Sequence, residues 1–151
     1  MPSITPFLWF DTQAEEAMNF YASIFPRSKV LSVNRAGDRV MMVEFELEGQ
    51  KFMALNAGPV HRFNEAVSFY VGCDTQQEID TYWAKLTADG GEPGQCGWLK
   101  DKYGLSWQII PNALGRFMSS GDPEKTKRVV DVLMRSRKLD ISEFQRAFDG
   151  A

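Results

Sequence analysis

The chain holds one histidine, His61, and two cysteines, Cys73 and Cys96, among 151 residues. So few ligating and nucleophilic side chains exclude several kinds of site. Neither cysteine belongs to a Cys-x-x-Cys pair or to a His/Cys cluster of zinc spacing. Nothing in the spacing pairs His61 with a thiol as its base, and both thiols are expected to be free and buried. A basic excess is missing too: 17 Lys and Arg against 20 Asp and Glu give a net charge of −3 and a pI near 5.2. Phosphate binding needs clustered Lys and Arg that outweigh nearby acids, so nucleic acid is not expected as a partner. No apolar run approaches the roughly 20 residues needed to span a bilayer, and no membrane partner is expected. The opening MPSITPFLWFD lacks the basic start and long apolar stretch of a signal peptide. A soluble cytoplasmic protein is expected.

What is present is a core and a repeat. Hydrophobic residues make up 44 % of the chain and aromatics 13 %, enough to bury a core in one domain of ordinary size. The pentapeptide DTQAE at 11–15 recurs as DTQQE at 74–78, and each copy follows an aromatic, strand-like run, PFLWF at 6–10 and SFYVGC at 68–73. In both copies Thr precedes Glu by three residues, the capping-box spacing, so Thr12 with Glu15 and Thr75 with Glu78 predict two helix starts.

Behind the first cap, Ala14, Ala17, Met18, Tyr21 and Phe25 fall at helical spacing, with a stop before Pro26. Behind the second, Ile79, Tyr82, Trp83 and Leu86 do the same, and Asp89-Gly90-Gly91 ends the helix. Three strands in a meander are expected after the first helix, with turns at 36–39 and 48–50. A Gly-rich stretch GGEPGQCG, a short GWLKD and the strand LSWQII follow the second. The predicted order is β-α-β-β-β, twice. One helix per sheet leaves the second face of each sheet to be buried or to enclose a cleft.

The tail differs in kind. Asp122 reads as an N-cap with Pro123 at the first helical position, and Val129, Val130, Leu133 and Met134 form an apolar stripe. Asp140 with Glu143 starts a second short helix carrying Ile141, Phe144 and Phe148. The basic residues Lys125, Lys127, Arg128, Arg135, Arg137 and Lys138 are interleaved with Asp122, Glu124, Asp131 and Asp140, the pattern of a solvated helix face.

Paired βαβββ units resemble the vicinal oxygen chelate superfamily, which includes glyoxalase I, extradiol dioxygenases, and bleomycin and fosfomycin resistance proteins. More narrowly, TPFLWFDTQAEEAMNFYASIFP, SFYVGCDTQQEIDTYWAKL and GQCGWLKDKYGLSWQIIP resemble the PhnB-like branch, commonly labelled 3-demethylubiquinone-9 3-methyltransferase domain proteins. The tail DPEKTKRVVDVLMRSRKLDISEFQRAF resembles the C-terminal extension common in that branch. The resemblance implies an α+β fold in one domain, residues 1–151. Two βαβββ modules, about 4–57 and 66–111, would form an open, cupped, mostly antiparallel sheet, with a helical tail over 112–151 and support from dimerisation.

For chemistry the resemblance implies less. Metal-dependent members draw His, His or Gln, and Glu from the first strand of each module and from the final strand, and these hold one octahedral divalent ion. The corresponding positions fall on Ile4, on Ala66 or Val67, and on Gln108. Two apolar residues and a neutral amide make a poor ligand set, so no metal or other cofactor is expected. His61, in the loop NAGPVHRFN, and the strand residues Glu44 and Glu46 are the weak alternatives. Methyl transfer by the common S-adenosylmethionine fold needs a Gly-rich turn from a parallel strand into a helix. GGEPGQCG instead follows a helix and enters a strand.

Strand alternation places Leu8 and Phe10, Ser68 and Tyr70, and Ser106 and Gln108 on the face away from the helices, with Trp107 turned toward the helix layer. Asn56 and Trp98 are weaker candidates. The first expectation is a metal-free, homodimeric small-molecule binder with no established catalysis and no assigned catalytic residue. The alternatives are a metal-dependent lyase or dioxygenase and the methyltransferase of the family label. The dimer is expected because the cleft needs closure and because the tail carries an apolar stripe.

Overall fold

In a computed structural model describing residues 1–151, the order βαβββ occurs twice, once in each of two units, 1–63 and 64–151. The first unit contains β1 (Phe7–Phe10), α1 (Ala14–Ile24), β2 (Ser28–Ala36), β3 (Arg39–Leu47) and β4 (Gln50–Asn56). Its sheet has the order β1-β4-β3-β2, with β1 parallel to β4 and the other pairs antiparallel. The turn between β3 and β4 places Glu48 and Gly49 at positive φ, the left-handed pair that a two-residue hairpin needs.

Helix α1 buries Ala14, Ala17, Met18, Tyr21 and Ile24. It ends at Phe25, whose backbone is extended as expected of a residue preceding proline. Its start differs from the sequence expectation. The N-cap is Gln13 with no side-chain cap, and Thr12 and Glu15 form no capping box. The Ala14 N–H donates instead to Asn56 Oδ1 at 2.8 Å, and Asn56 Nδ2 donates to the Val40 carbonyl at 3.1 Å. Asn56 thus fastens the helix start to the end of β4, and Glu15 is drawn away into an ion pair with Arg35 at 2.7 Å.

The second unit contains β5 (Ser68–Cys73), α2 (Gln76–Leu86), β6 (Glu92–Pro93), β7 (Trp98–Lys100) and β8 (Ser106–Pro111). Its order is β5-β8-β7-β6, again with the first strand parallel to the last. The predicted cap is made: Thr75 Oγ1 accepts from the Glu78 N–H at 3.1 Å. Glu78 Oε2 accepts from the Asp74 N–H, one residue before the N-cap, also at 3.1 Å. Asp89 and Gly90 at positive φ turn the chain out of the helix.

The tail forms α3 (Leu114–Met118), which the sequence patterning did not predict, α4 (Pro123–Arg135) and α5 (Ile141–Asp149). Asp122 and Asp140 cap α4 and α5 through their carboxylates. The α4 stripe is corrected: Val129 and Val132 are buried, Val130 and Leu133 are half-buried, and Met134 is exposed. Val129, Val132 and Leu133 pack with Ile110, Phe117, Leu139 and Phe144 in one apolar cluster, so the inward part of the stripe is covered by its own unit, while Val130 and Met134 stay outside the cluster. One of the two reasons for expecting a dimer is thereby reduced to the uncovered Val130 and Met134. Arg128 locks the pair of helices by donating to the Ala147 and Phe148 carbonyls at 2.6 and 3.0 Å, at the C-terminal end of α5. No helix is long and apolar enough to cross a membrane.

Candidate functional site

The strand β3 fixes which face of the first sheet is which. Val43, Phe45 and Leu47 are buried and alternate with half-buried Glu44 and Glu46. Phe45 stacks on Tyr21 of α1 and on Phe52 of β4, so this parity is the helix-covered face. In register, Leu8 lies opposite Ala54 and Ala54 opposite Val43. Leu8 and Phe10 therefore lie in the core under α1 and not on the open face where alternation had placed them. A slip of one residue in parity exchanges the two faces completely. The open face of this sheet instead carries Trp9, Met42, Met53 and Leu55, beside Glu44 and Glu46. These apolar residues were missed, although the Val-Glu-Phe-Glu-Leu alternation of β3, carried across the register, assigns them.

In the second sheet Leu99, Trp107 and Ile109 are buried on the face that α2 covers with Ile79, Trp83 and Leu86. Ser68, Tyr70, Ser106 and Gln108 share the opposite face. The pairings Tyr70 with Gln108 and Gln108 with Trp98 set an aromatic, an amide and an aromatic side by side across three strands. Neighbouring strands lie about 4.8 Å apart, so the two aromatics flank the amide at about 10 Å from each other. The next row toward the start of β8 is Ser68, Ser106 and Lys100. At the other end the same face reaches Ile110, which the tail cluster covers.

Polar groups in this patch are only partly satisfied. Gln108 Nε2 donates to Ser68 Oγ at 2.9 Å. Ser106 is 1 % exposed and its hydroxyl has no hydrogen-bond partner. Tyr70 is 61 % exposed. Lys100 is held by Glu65 in an ion pair that lowers the Glu65 pKa and raises that of Lys100, the hydrogen bond between them being the largest cause in each. Glu92 lies opposite Lys100 in the ladder as a second acid.

The strand is positioned from below by the turn 101–105. Asp101, buried, accepts from the Tyr103 and Leu105 N–H groups through Oδ1 at 2.8 and 3.1 Å, and from Trp107 Nε1 through Oδ2 at 2.9 Å. Gly104 at positive φ closes the turn. Trp107 is thereby locked into the core, and alternation turns Gln108 to the open face.

The inferred ligand positions do not fit a divalent ion. Ile4 is 95 % exposed and precedes β1. Ala66 and Val67 precede β5, both exposed, Val67 at 64 %. Gln108 offers an amide oxygen without charge, its nitrogen donating to Ser68. The substitutes do not assemble either: His61 sets its ring edge against Trp9 at 4.7 Å between centroids, Glu44 pairs with Lys51 at 3.4 Å, and Glu46 lies opposite Lys51. No three His, Cys, Asp or Glu side chains come together as a metal-binding group. Asn56 is occupied in capping α1. Cys73 is buried, and desolvation first, then Glu78 and Asp74, pushes its thiol up to about 12, which removes it as a nucleophile at neutral pH.

Comparison with known proteins bears on the same residues. Residues 2–110 match the family model described as 3-demethylubiquinone-9 3-methyltransferase. The solved PhnB protein of Bacillus cereus is 39 % identical, covers 73 % of this chain and 99 % of its own, and superimposes with a TM-score of 0.66. The fosfomycin resistance protein FosX of Listeria monocytogenes, solved with Mn(II) and sulfate, is 13 % identical over 72 % of this chain and 91 % of its own, at a TM-score of 0.52. A glyoxylase/bleomycin resistance protein/dioxygenase domain of Frankia is 11 % identical over 74 % and 92 %, at 0.50. The last two establish likeness of fold alone. No curated protein matches the chain.

Proposed function

The chain belongs to the 3-demethylubiquinone-9 3-methyltransferase family, in its PhnB-like branch and with the vicinal oxygen chelate fold, and we propose that it binds a small molecule without a metal ion and without methyl transfer. The observation that carries this reading is the donor set at the ligand positions: the Ile4 and Val67 side chains have no lone pair to give, and Gln108 brings no charge. The binding surface in this reading is the open face of the second sheet, where Tyr70, Gln108 and Trp98 form one row. Aromatic walls with a few convergent polar groups are the usual make-up of a small-molecule site.

The family label is not adopted as the activity. Methyl donors of the common type are cradled where a parallel strand runs through a Gly-rich turn into a helix. Here the parallel pairs are only β1 with β4 and β5 with β8, and the Gly-rich stretch 90–97 leads from α2 toward β7. A cytoplasmic location belongs to the same reading, in keeping with two unpaired thiols. So does a homodimer, now supported by the open apolar face of the first sheet and by exposed Val30 and Leu31 on its edge strand β2.

The test is equilibrium dialysis of protein purified without chelators against Mn²⁺, Ni²⁺ and Zn²⁺, followed by elemental analysis. Far less than one ion per chain is expected, and a stoichiometric ion overturns the metal-free reading. Calorimetric titration with S-adenosylmethionine is expected to give no binding heat up to millimolar ligand. A saturable isotherm would restore the methyltransferase.

A further inference from the structure

The polar groups left over on the second sheet narrow what its open face can hold, a narrowing that rests on the small-molecule binding proposed for that face. Gln108 spends one N–H on Ser68, which leaves its carbonyl oxygen and its other N–H unspent, one acceptor and one donor on the same planar group. Tyr70 and Trp98 flank that amide in register. Beneath it, in the row of Ser68 and Lys100, the Ser106 hydroxyl is buried and unpartnered. A buried hydroxyl without a partner is rare in folded proteins and marks a position where a further polar group is missing.

Charge decides between ligand classes. The one cation on this face, Lys100, is paired with Glu65 and lies opposite Glu92. Its charge is more than answered, and an anion approaching it meets two carboxylates. A cation would find no unpaired carboxylate beside Gln108, whose row holds only Tyr70 and Trp98.

We infer that the open face of the second sheet recognises a neutral, planar heteroaromatic molecule with adjacent donor and acceptor atoms on one edge, as in a lactam. The edge pairs with the carbonyl and N–H of Gln108, and the ring is held between Tyr70 and Trp98. A side-chain amide reads such an edge bidentately, as Gln and Asn read adenine. Aromatic neighbours add affinity without adding selectivity, because any flat ring offers them a π-face. Selectivity therefore resides in Gln108 and affinity in Tyr70 and Trp98.

Three probes of one size test this by ligand-observed NMR titration: 2-quinolone, which has the lactam edge, N-methyl-2-quinolone, in which the donor is blocked, and 2-naphthoate, which is anionic. The expected result is 2-quinolone binding at least tenfold more tightly than either of the others. Gln108→Leu should erase that preference, and Gln108→Met, which keeps the side-chain length and removes both the donor and the acceptor, should do the same if the leucine variant fails to fold. Tyr70→Ala and Trp98→Ala should weaken all three probes. If 2-naphthoate binds most tightly and loses affinity in Tyr70→Ala, the ligand class is overturned and the face stands. If no probe binds, or binding ignores Tyr70→Ala and Trp98→Ala, both the class and the face are overturned.

Discussion

Replacing Asp101 by Asn changes one atom of a buried carboxylate and keeps its shape. Oδ1 can go on accepting from the Tyr103 and Leu105 N–H groups, but the atom facing the Trp107 indole then becomes a donor, and two donors meet at the present 2.9 Å. Rotating the amide only moves the conflict to the two backbone donors. A hydrogen bond to a charged group contributes about 1.5–3 kcal/mol and an unsatisfied buried donor costs about 1–3 kcal/mol, so Asp101→Asn should destabilise by about 2.5–6 kcal/mol. Trp107→Phe should cost a similar amount through the lost bond and the smaller ring. In the double variant the conflicting donor is gone, and the combined loss should fall short of the sum by at least about 1 kcal/mol. Urea unfolding followed by far-UV circular dichroism measures all four proteins without relying on tryptophan emission. Additivity within about 0.5 kcal/mol would refute the role given to the Asp101–Trp107 bond in setting β8, and with it the account of how Gln108 is aimed.

Three further outcomes are expected from the same contacts. Thr75→Ala should destabilise by about 1 kcal/mol through loss of its cap, and Asn56→Ala similarly, whereas Thr12→Ala should stay within about 0.5 kcal/mol; equal costs for Thr12 and Thr75 in urea unfolding would restore the first capping box. The Asp140 carboxyl is held below its usual range first by the Ser142 hydroxyl, and that of Asp80 first by Lys138 and then by Gln76. Folded values below the unfolded ones give stability that is complete above the ordinary carboxylate range and is lost as pH falls through it, so amides of 123–149 should lose hydrogen-exchange protection before those of β8 between about pH 4 and 3, and simultaneous loss would contradict this. Ellman titration should find Cys96 reactive and Cys73 silent in the native protein and both reactive in denaturant; a native count of two thiols would contradict the burial of Cys73.

The repeat, the βαβββ order of each module and the caps of α2, α4 and α5 were legible in the sequence because each depends on residues within a few positions of one another. The start of α1 was not, because its cap comes from Asn56, 42 residues away. The facing of β1 was not legible from Phe-Leu-Trp-Phe alone, since a run of four apolar residues has no alternation to read. Its parity is written in β3, where glutamates alternate with apolar residues, and becomes readable only once the pairing is known. The α4 stripe failed at its margin: helical spacing allows Val130 and Met134 as well as Val129 and Val132, and only docking against Ile110 and Leu139 decides between them. Of the candidate site, the membership of Ser68, Tyr70, Ser106 and Gln108 in one face followed from period-two alternation. The Ser68–Gln108 hydrogen bond and the place of Trp98 beside Gln108 required the register.

In both modules the first strand lies parallel to the last, Phe7 opposite Met53 and Ser68 opposite Ser106. That arrangement carries a timetable. On a ribosome adding about 5–20 residues per second, β1 leaves the tunnel some 2–9 s before its only partner, and β5 waits nearly as long for β8. During that interval α1 and the hairpin of β2 with β3 can form, because their contacts are local, while the strand made first stays unpaired. Each module is therefore completed only when its newest strand reaches its oldest. A nascent chain halted after β3 would display Phe-Leu-Trp-Phe as an open apolar edge, the segment a chaperone would be expected to hold until the parallel partner arrives.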